Sequence, residues 1–319
     1  MSDLALAVFA SETGAHLIRP PASARWNAHL RSFDASAYEQ RLARAGFRFV
    51  ARSSTFFPGL LRAVHDPPPG LFVRGDAELE LLSRPGVAIV GARACSGYGA
   101  AAARTLARDV ARAGLIVVSG LARGVDAEAH RGALEAGTPT VAVLGCGIDR
   151  DYPAAHAELA RRIAETGLIV SEYAPGVEPA PWRFPARNRI VAGLAVATVV
   201  VEARERSGAL ITADLALEEG REVFAVPGEI TSALSAGTNA LLKLGASPLT
   251  CAHDILSCFG IEPACVVRVE SALLDLLPAS ADELVRRTGR TAADIARELV
   301  ELELSGAAVA YDGVYRATG

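Results

Sequence analysis

Residues 182–189 read Trp-Arg-Phe-Pro-Ala-Arg-Asn-Arg, three arginines and two aromatics in eight positions. Arginine guanidinium groups bind phosphates through paired N–H donors, and aromatic rings stack on unpaired bases. Together they make the composition of a groove for single-stranded nucleic acid. Stacking contributes about 1–3 kcal/mol per base, and each neutralised phosphate steepens the log–log salt dependence by about 0.7. The competing reading of the same octet is a surface arginine cluster with core aromatics.

Three further stretches share one layout, in which an apolar run stops at a polar turn and a helical pattern opens. The first, 87–99, carries Arg93, Ser96, Gly97 and Tyr98. It is no Walker A loop, because Gly91 and Gly97 are six apart and no lysine follows. Nor is it a dinucleotide fingerprint, since the next strand ends at Ser119 where an acid should hold the ribose. A generic anion site remains, against the alternative that Ser96 only caps the helix. The second stretch, 119–126, brings Gly120, Arg123 and Asp126. The third, 204–209, brings Arg204, Arg206, Ser207 and Gly208. Asp126 and His130 lie one helical turn apart, either as a catalytic pair or as a buried acid held by a histidine. Glu172 is the best further acid, with no partner evident. No nucleophile–base constellation and no metal-ligand cluster stand out.

The elements that must position these loops alternate regularly from residue 87. Val/Ile-rich runs at 87–91, 115–119, 140–144, 167–171, 196–202 and 222–226 predict strands covered on both faces. Helical patterns separate them at 98–113, 124–136, 153–165, 208–219 and 236–244. The order predicts an extended Rossmann-like α/β fold with a doubly wound, mostly parallel sheet over 46–262. Its strand C-termini would share one crevice. Two further strands are expected at 47–51 and 71–75, around the rigid turn His65–Pro69. Residues 1–45 predict a short helical region, with a helix at 37–45. Gly260-Ile261-Glu262-Pro263 reads as a linker. Residues 266–319 then predict three helices and a hairpin turning at Asp312-Gly313, the outline of a winged helix.

With 319 residues, 51% hydrophobic and 21% charged, the chain can bury a full core. Its net charge of −4 requires any nucleic-acid contact to come from a local patch. Lys243 is the single lysine among 32 basic residues. A GC-rich genome would give that bias, and it suits phosphate contacts as well. Five cysteines without a CxxC pair argue against zinc and a disulfide framework, and fit a reducing cytoplasm. The N-terminus has an acid where a signal peptide needs basic residues. The longest apolar run, 190–201, is too short to span a bilayer.

At these residues the chain resembles the DNA processing protein A family, also called Smf. The matching stretches are HDPPPGLFVRG, GARACSGYG, SGLARGVDAEAH, VAVLGCGIDRDYP, SEYAPG, FPARNRIVAGLA, RSGALITADLALEEGREVFAVPG and SAGTNALLKLGA, in the family's order. The resemblance implies an extended Rossmann-like core and a C-terminal winged helix. It implies a cytoplasmic homodimer that binds single-stranded DNA and loads the recombinase RecA during natural transformation. It implies no enzyme activity and no cofactor. Carried over by motif, the strand pocket would use Arg93, Ser96, Gly97 and Tyr98, with Gly120 and Arg123 beside them. Phe184, Arg187, Asn188 and Arg189 would form the opposite wall.

Two features depart from the family pattern. The region before the core is short, and Ala236 stands where an arginine is expected, which would weaken one phosphate contact. Residues 266–319 carry six arginines against nine acids, a net −3. An acidic recognition helix is repelled by phosphate, so this unit is expected to bind protein or pack on the core. Two other functions stay open at this point. One is a nucleotide-processing hydrolase using Asp126, His130 or Glu172; the other is a winged-helix transcription factor.

Overall fold

The computed structural model describes residues 3–15, 17–261, 271–304, 307–311 and 313–317. The chain forms two compact units, residues 1–261 and 262–319. Part of the expected linker, Glu262-Pro263, and Asp312 of the expected turn lie outside the described residues.

The first unit is built on a nine-stranded sheet. Its strands are β1 (Phe47–Ala51), β2 (Gly70–Arg74), β3 (Gly86–Gly91), β4 (Ile116–Ser119), β5 (Thr140–Leu144), β6 (Leu168–Ser171), β7 (Ala197–Val201), β8 (Glu222–Ala225) and β9 (Ser247–Pro248). Their spatial order is β1-β2-β6-β5-β4-β3-β7-β8-β9. From β6 to β9 every pairing is parallel. The strands β1 and β2 add an antiparallel edge on β6. The doubly wound expectation therefore holds, with that edge as the exception to parallel pairing.

Strand β3 shows why these runs are apolar throughout. Val87 and Ile89 enter one core, while Ala88 and Val90 enter another on the opposite face. Burying each large side chain contributes about 1.5–3 kcal/mol. One face is covered by α5 (Gly97–Arg112), α6 (Val125–Glu135) and α11 (Ala252–Cys258). The other is covered by α8 (Arg183–Gly193), α9 (Gly208–Glu218), α10 (Ala236–Lys243) and the short α4 (Gly59–Arg62). A third cluster joins α7 (Ala157–Thr166) to α1 (Asp3–Thr13) and α3 (Ala35–Arg44).

Helix α1 packs on two sides. Leu4, Ala7 and Val8 belong to the third cluster, and Ala5, Leu6 and Phe9 pack with Trp26 of α2 (Ala24–Ser32). Helix α8 is the main departure from the sequence reading, which places no helix between the strands at 167–171 and 196–202. Its Pro185 stands in the first turn, where no intrahelical N–H is needed.

The second unit has α12 (Ala281–Thr288), α13 (Ala292–Leu304) and a sheet of β10 (Ala279–Ser280), β11 (Ala308–Tyr311) and β12 (Val314–Ala317) in the order β10-β12-β11. Leu273, Leu284, Ile295, Leu299 and Leu302 form its core. Ser280 caps α12 through the Glu283 N–H, and left-handed Gly289 (φ +68°) ends it. No helix among the described residues is long and apolar enough to cross a membrane.

Candidate nucleic-acid interface

The sheet order reverses between β3 and β7, so the loops after these strands part at the sheet's C-terminal edge and leave a crevice. A cavity of about 330 Å³ opens there, lined by Val90, Gly91, Arg93, Ala122, Asp126, Phe184, Pro185, Arg187, Asn188, Ser207, Gly208, Ala209 and Thr212. Arg93 is exposed on the β3–α5 loop, with its guanidinium 5.4 Å from the centroid of the Phe184 ring. It forms no ion pair with a described residue. The opposite rim is the start of α9, where Ser207 caps the helix through the Ala209 N–H. A helix start presents unbonded N–H groups and a partial positive charge to an anion. Asn188 fixes this rim by donating from Nδ2 to the Gly208 carbonyl at 3.1 Å.

Arg187 lines the cavity but is not free in it. It is 4% exposed. Its Nη1 donates to the carbonyls of Gly120 (2.7 Å) and Val143, and its Nε to Asn188 Oδ1 at 3.3 Å. It thus fastens the ends of β4 and β5 to α8. Gly120 is glycine because a Cβ there would stand 2.4 Å from the guanidinium. Asp126 accepts from the N–H groups of Gly120 (3.1 Å) and Ala122 (3.3 Å). Burial pushes the Asp126 carboxyl above its ordinary value, although Arg187 and both N–H groups pull the other way.

Asp126 and His130 have separate partners, which corrects the expectation of a pair. His130 Nδ1 lies 2.9 Å from Thr140 Oγ1, whose own proton goes to the Val117 carbonyl at 2.6 Å. Burial, followed by the positive charge of Arg187, depresses His130 from 6.5 to about 3. Above pH 6.5 both folded and unfolded chains hold it neutral. Below 6.5 the unfolded chain takes up a proton that the folded chain refuses, so stability falls with acidification until about pH 3. At about 1.4 kcal/mol per pH unit, the loss reaches about 2 kcal/mol by pH 5. His130→Asn should therefore show a smaller drop in melting temperature between pH 7.5 and 5 than the native chain. Equal drops would contradict the depressed value. Asp126 titrates in the opposite sense, favouring the fold in acid, and cancels because both proteins contain it.

The start of α5 does not face the cavity as an open anion site. Ser96 caps it through the Gly99 N–H at 3.1 Å. Ser96 also donates from Oγ to Glu202 Oε1 (2.5 Å) and from its backbone N–H to Oε2 (2.8 Å). Glu202 is buried, with a left-handed φ of +52°. Gly99 accommodates it, since a Cβ there would stand 2.3 Å from Oε2. The chain's own carboxylate thus takes the place at this helix start that an anionic ligand would need. Gly97 has open space around it. Tyr98 donates its hydroxyl to the Pro227 carbonyl at 3.0 Å. Ser96, Gly97 and Tyr98 are outside the cavity lining, as is Arg123, exposed on the neighbouring loop. The sequence reading missed Glu202; an acid ending the Val-rich run of β7, opposite a serine cap, was the available signal.

Arg189 is also turned inward. It pairs with Glu172, approaches Asp66 Oδ2 at 3.5 Å and donates to the Asp66 carbonyl at 2.8 Å. It ties α8 to the end of β6 and to the 65–69 turn. Glu172, without a partner in the sequence reading, is held by this arginine. Of the expected residues, the structure gathers Arg93, Phe184, Arg187 and Asn188 around one cavity and buries Gly120 and Arg189 behind it.

Fold and site define a class: a doubly wound α/β protein whose strand-end crevice pairs an exposed arginine with a helix start, suited to an anionic ligand. Residues 48–260 match the family model of DNA recombination-mediator protein A, and residues 269–313 match that of the DprA winged helix domain. The chain belongs to this recombination-mediator family. It is 45% identical to the DNA processing protein DprA of Streptococcus pneumoniae over 203 residues, 64% of this chain and 71% of that one. Against protein Smf of Escherichia coli it is 38% identical over 294 residues, 86% of this chain and 78% of the relative. The solved S. pneumoniae structure covers 80% of this chain and 92% of its own at a TM-score of 0.69 and 36% identity. DNA processing protein A from Helicobacter pylori, solved for its single-stranded DNA binding mode, superposes at a TM-score of 0.60 and 32% identity. That match covers 67% of this chain and 95% of its own.

Proposed function

We propose that this chain binds single-stranded DNA at the strand-end crevice, with phosphates on Arg93 and the start of α9 and bases against the neighbouring aromatics. The observation that carries this reading is Arg93, an exposed guanidinium with no ion pair among the described residues, at the mouth of a cavity whose far rim is a helix start. Sequence-tolerant contacts of this kind keep a strand extended for a recombinase. Loading of RecA onto incoming DNA, by a homodimer in the cytoplasm, is the mediator role that the family membership supports.

A binding role is favoured over hydrolysis because each candidate acid or base is engaged. His130 is held neutral far below the range of a general base, Asp126 accepts two backbone N–H bonds, and Glu172 is paired with Arg189. The acidic winged helix is assigned to protein contacts, not to duplex DNA.

The test compares affinity for single-stranded and duplex oligonucleotides at two salt concentrations. The single strand should bind more tightly. Arg93→Ala should lower single-strand affinity about tenfold, the loss of one charge-assisted contact, and flatten the salt slope by about 0.7. Unchanged affinity and slope in a folded variant would remove the crevice from the reading, and turnover of nucleotides by pure protein would return the hydrolase.

A further inference from the structure

Phe184, the aromatic expected to receive a base, is half-buried and already in contact with other groups. Tyr152 stacks on it with ring centroids 5.3 Å apart and planes at 25°. Arg93 lies over the same ring. Gly145 approaches its edge so closely that a Cβ there would stand 2.9 Å from Cδ1. Tyr152 is 43% exposed.

The other exposed aromatics near the strand ends, Tyr98 and Trp182, have contacts of their own. Tyr98 is tethered through its hydroxyl to Pro227, and Trp182 carries the Arg183 guanidinium 4.8 Å from its ring centroid. The order Arg93, Phe184, Tyr152 therefore leads from the cavity to an aromatic ring that solvent still reaches.

The loop that holds Tyr152 is pinned on both sides. Arg74 pairs with Asp151 at 2.5 Å, Arg150 pairs with Glu178 at 2.6 Å, and Asp149 accepts the Gly176 N–H at 2.9 Å. These bonds pre-position the ring, so little order is lost when a ligand stacks on it. They also engage Asp149 and Asp151, the two acids just before Tyr152, which lowers their repulsion of a phosphate backbone.

We propose that Tyr152 is a base-stacking subsite for one unpaired nucleobase outside the cavity, with Phe184 as the ring that backs it. The inference rests on the crevice reading above and adds a ligand class to it. The phosphates are gripped at Arg93 and α9, and a base of the same strand is received on Tyr152. Stacking is tolerant of base identity, so this subsite selects unpaired bases over duplex without selecting sequence.

The experiment uses the full chain with two probes of equal length, oligothymidylate and an abasic oligonucleotide carrying the same number of phosphates. Tyr152→Ala should weaken oligothymidylate binding about tenfold, within the range for one stacked base. It should leave both the abasic affinity and the salt slope unchanged, and Tyr152→Phe should bind as the native chain does. A 2-aminopurine placed along the strand should be quenched at one position in the native complex and brighter at that position in Tyr152→Ala.

Equal binding of both probes by Tyr152→Ala and the native chain would overturn the proposal. So would equal weakening on both probes, because the ring would then act only through its loop. Arg93→Ala separates the two readings, since it should weaken both probes and flatten the slope. If Arg93→Ala binds normally while Tyr152→Ala loses only the base-bearing strand, the crevice reading fails and the stacking reading stands.

Discussion

Arg187→Ala should destabilise the first unit by about 3–5 kcal/mol, the cost of breaking a buried charge network. Residual stability is then small, since domains of this kind are stable by only about 5–15 kcal/mol. The reason is the geometry of the guanidinium. It is buried, it serves the Gly120 and Val143 carbonyls with one nitrogen, and it faces Asp126. Alanine leaves both carbonyls short of a donor and Asp126 without the larger of its two opposing charges, Arg93 being the other. Urea or thermal unfolding by circular dichroism measures the loss, with a fall in melting temperature of about 6–20 °C for a unit this size. Asp126→Asn in the same chain should recover part of it, because the stranded charge is gone. Arg93→Ala should leave stability within about 0.5 kcal/mol, as an exposed side chain does. If Arg187→Ala instead kept native stability and lost only DNA affinity, the residue would be an open phosphate ligand and not a clamp.

That contrast shows what residue types convey and what they leave out. Arg93, Arg187 and Arg189 look alike in sequence, each a basic residue in a stretch that reads as a phosphate contact. Their roles diverge because α8 turns Arg187 and Arg189 toward the sheet while Arg93 sits on a loop. Helix α8 itself is hidden in the sequence. Proline and asparagine lie within it, and its inward residues include two charges, so no apolar stripe marks a buried face. Helix α1 is hidden for the opposite reason, being apolar on both sides because it fills two cores. The parallel strands were legible, since each must be apolar on both faces and short runs of Val and Ile have few other uses. The crevice was legible for the same reason, because strand order follows from alternation and places the loops together. Long-range partners were not, and Glu172 with Arg189 is the plainest case, two groups 17 positions apart that meet only once β6 and α8 are placed.

Glu202→Ala should be the second large effect, and an added anion should offset part of a loss at this position. The carboxylate accepts the Ser96 N–H and Oγ–H and sits at the positive end of α5. Hydrogen bonds to a charged group contribute about 1.5–3 kcal/mol, and a negative charge at a helix start adds about 0.3–1. Alanine should therefore cost about 2–4 kcal/mol, read as a lower midpoint in urea. Glycine at the same position should cost less than alanine, because φ +52° at residue 202 disfavours any side chain without compensating bonds. The vacated helix start then has the unsatisfied donors and dipole of a generic anion site. Inorganic phosphate should raise the midpoint of Glu202→Gly more than that of the native chain, at matched ionic strength. The native chain should show no such gain at this position, because its own carboxylate excludes the ion. An equal phosphate response in both proteins would mean that the ion acts elsewhere and that Glu202 does not occupy the helix start in solution. A gain confined to Glu202→Gly would explain why a Rossmann-like loop carrying glycines and a serine cap does not serve here as a nucleotide-phosphate site. It would leave the start of α9, across the crevice from Arg93, as the helix end free for the strand.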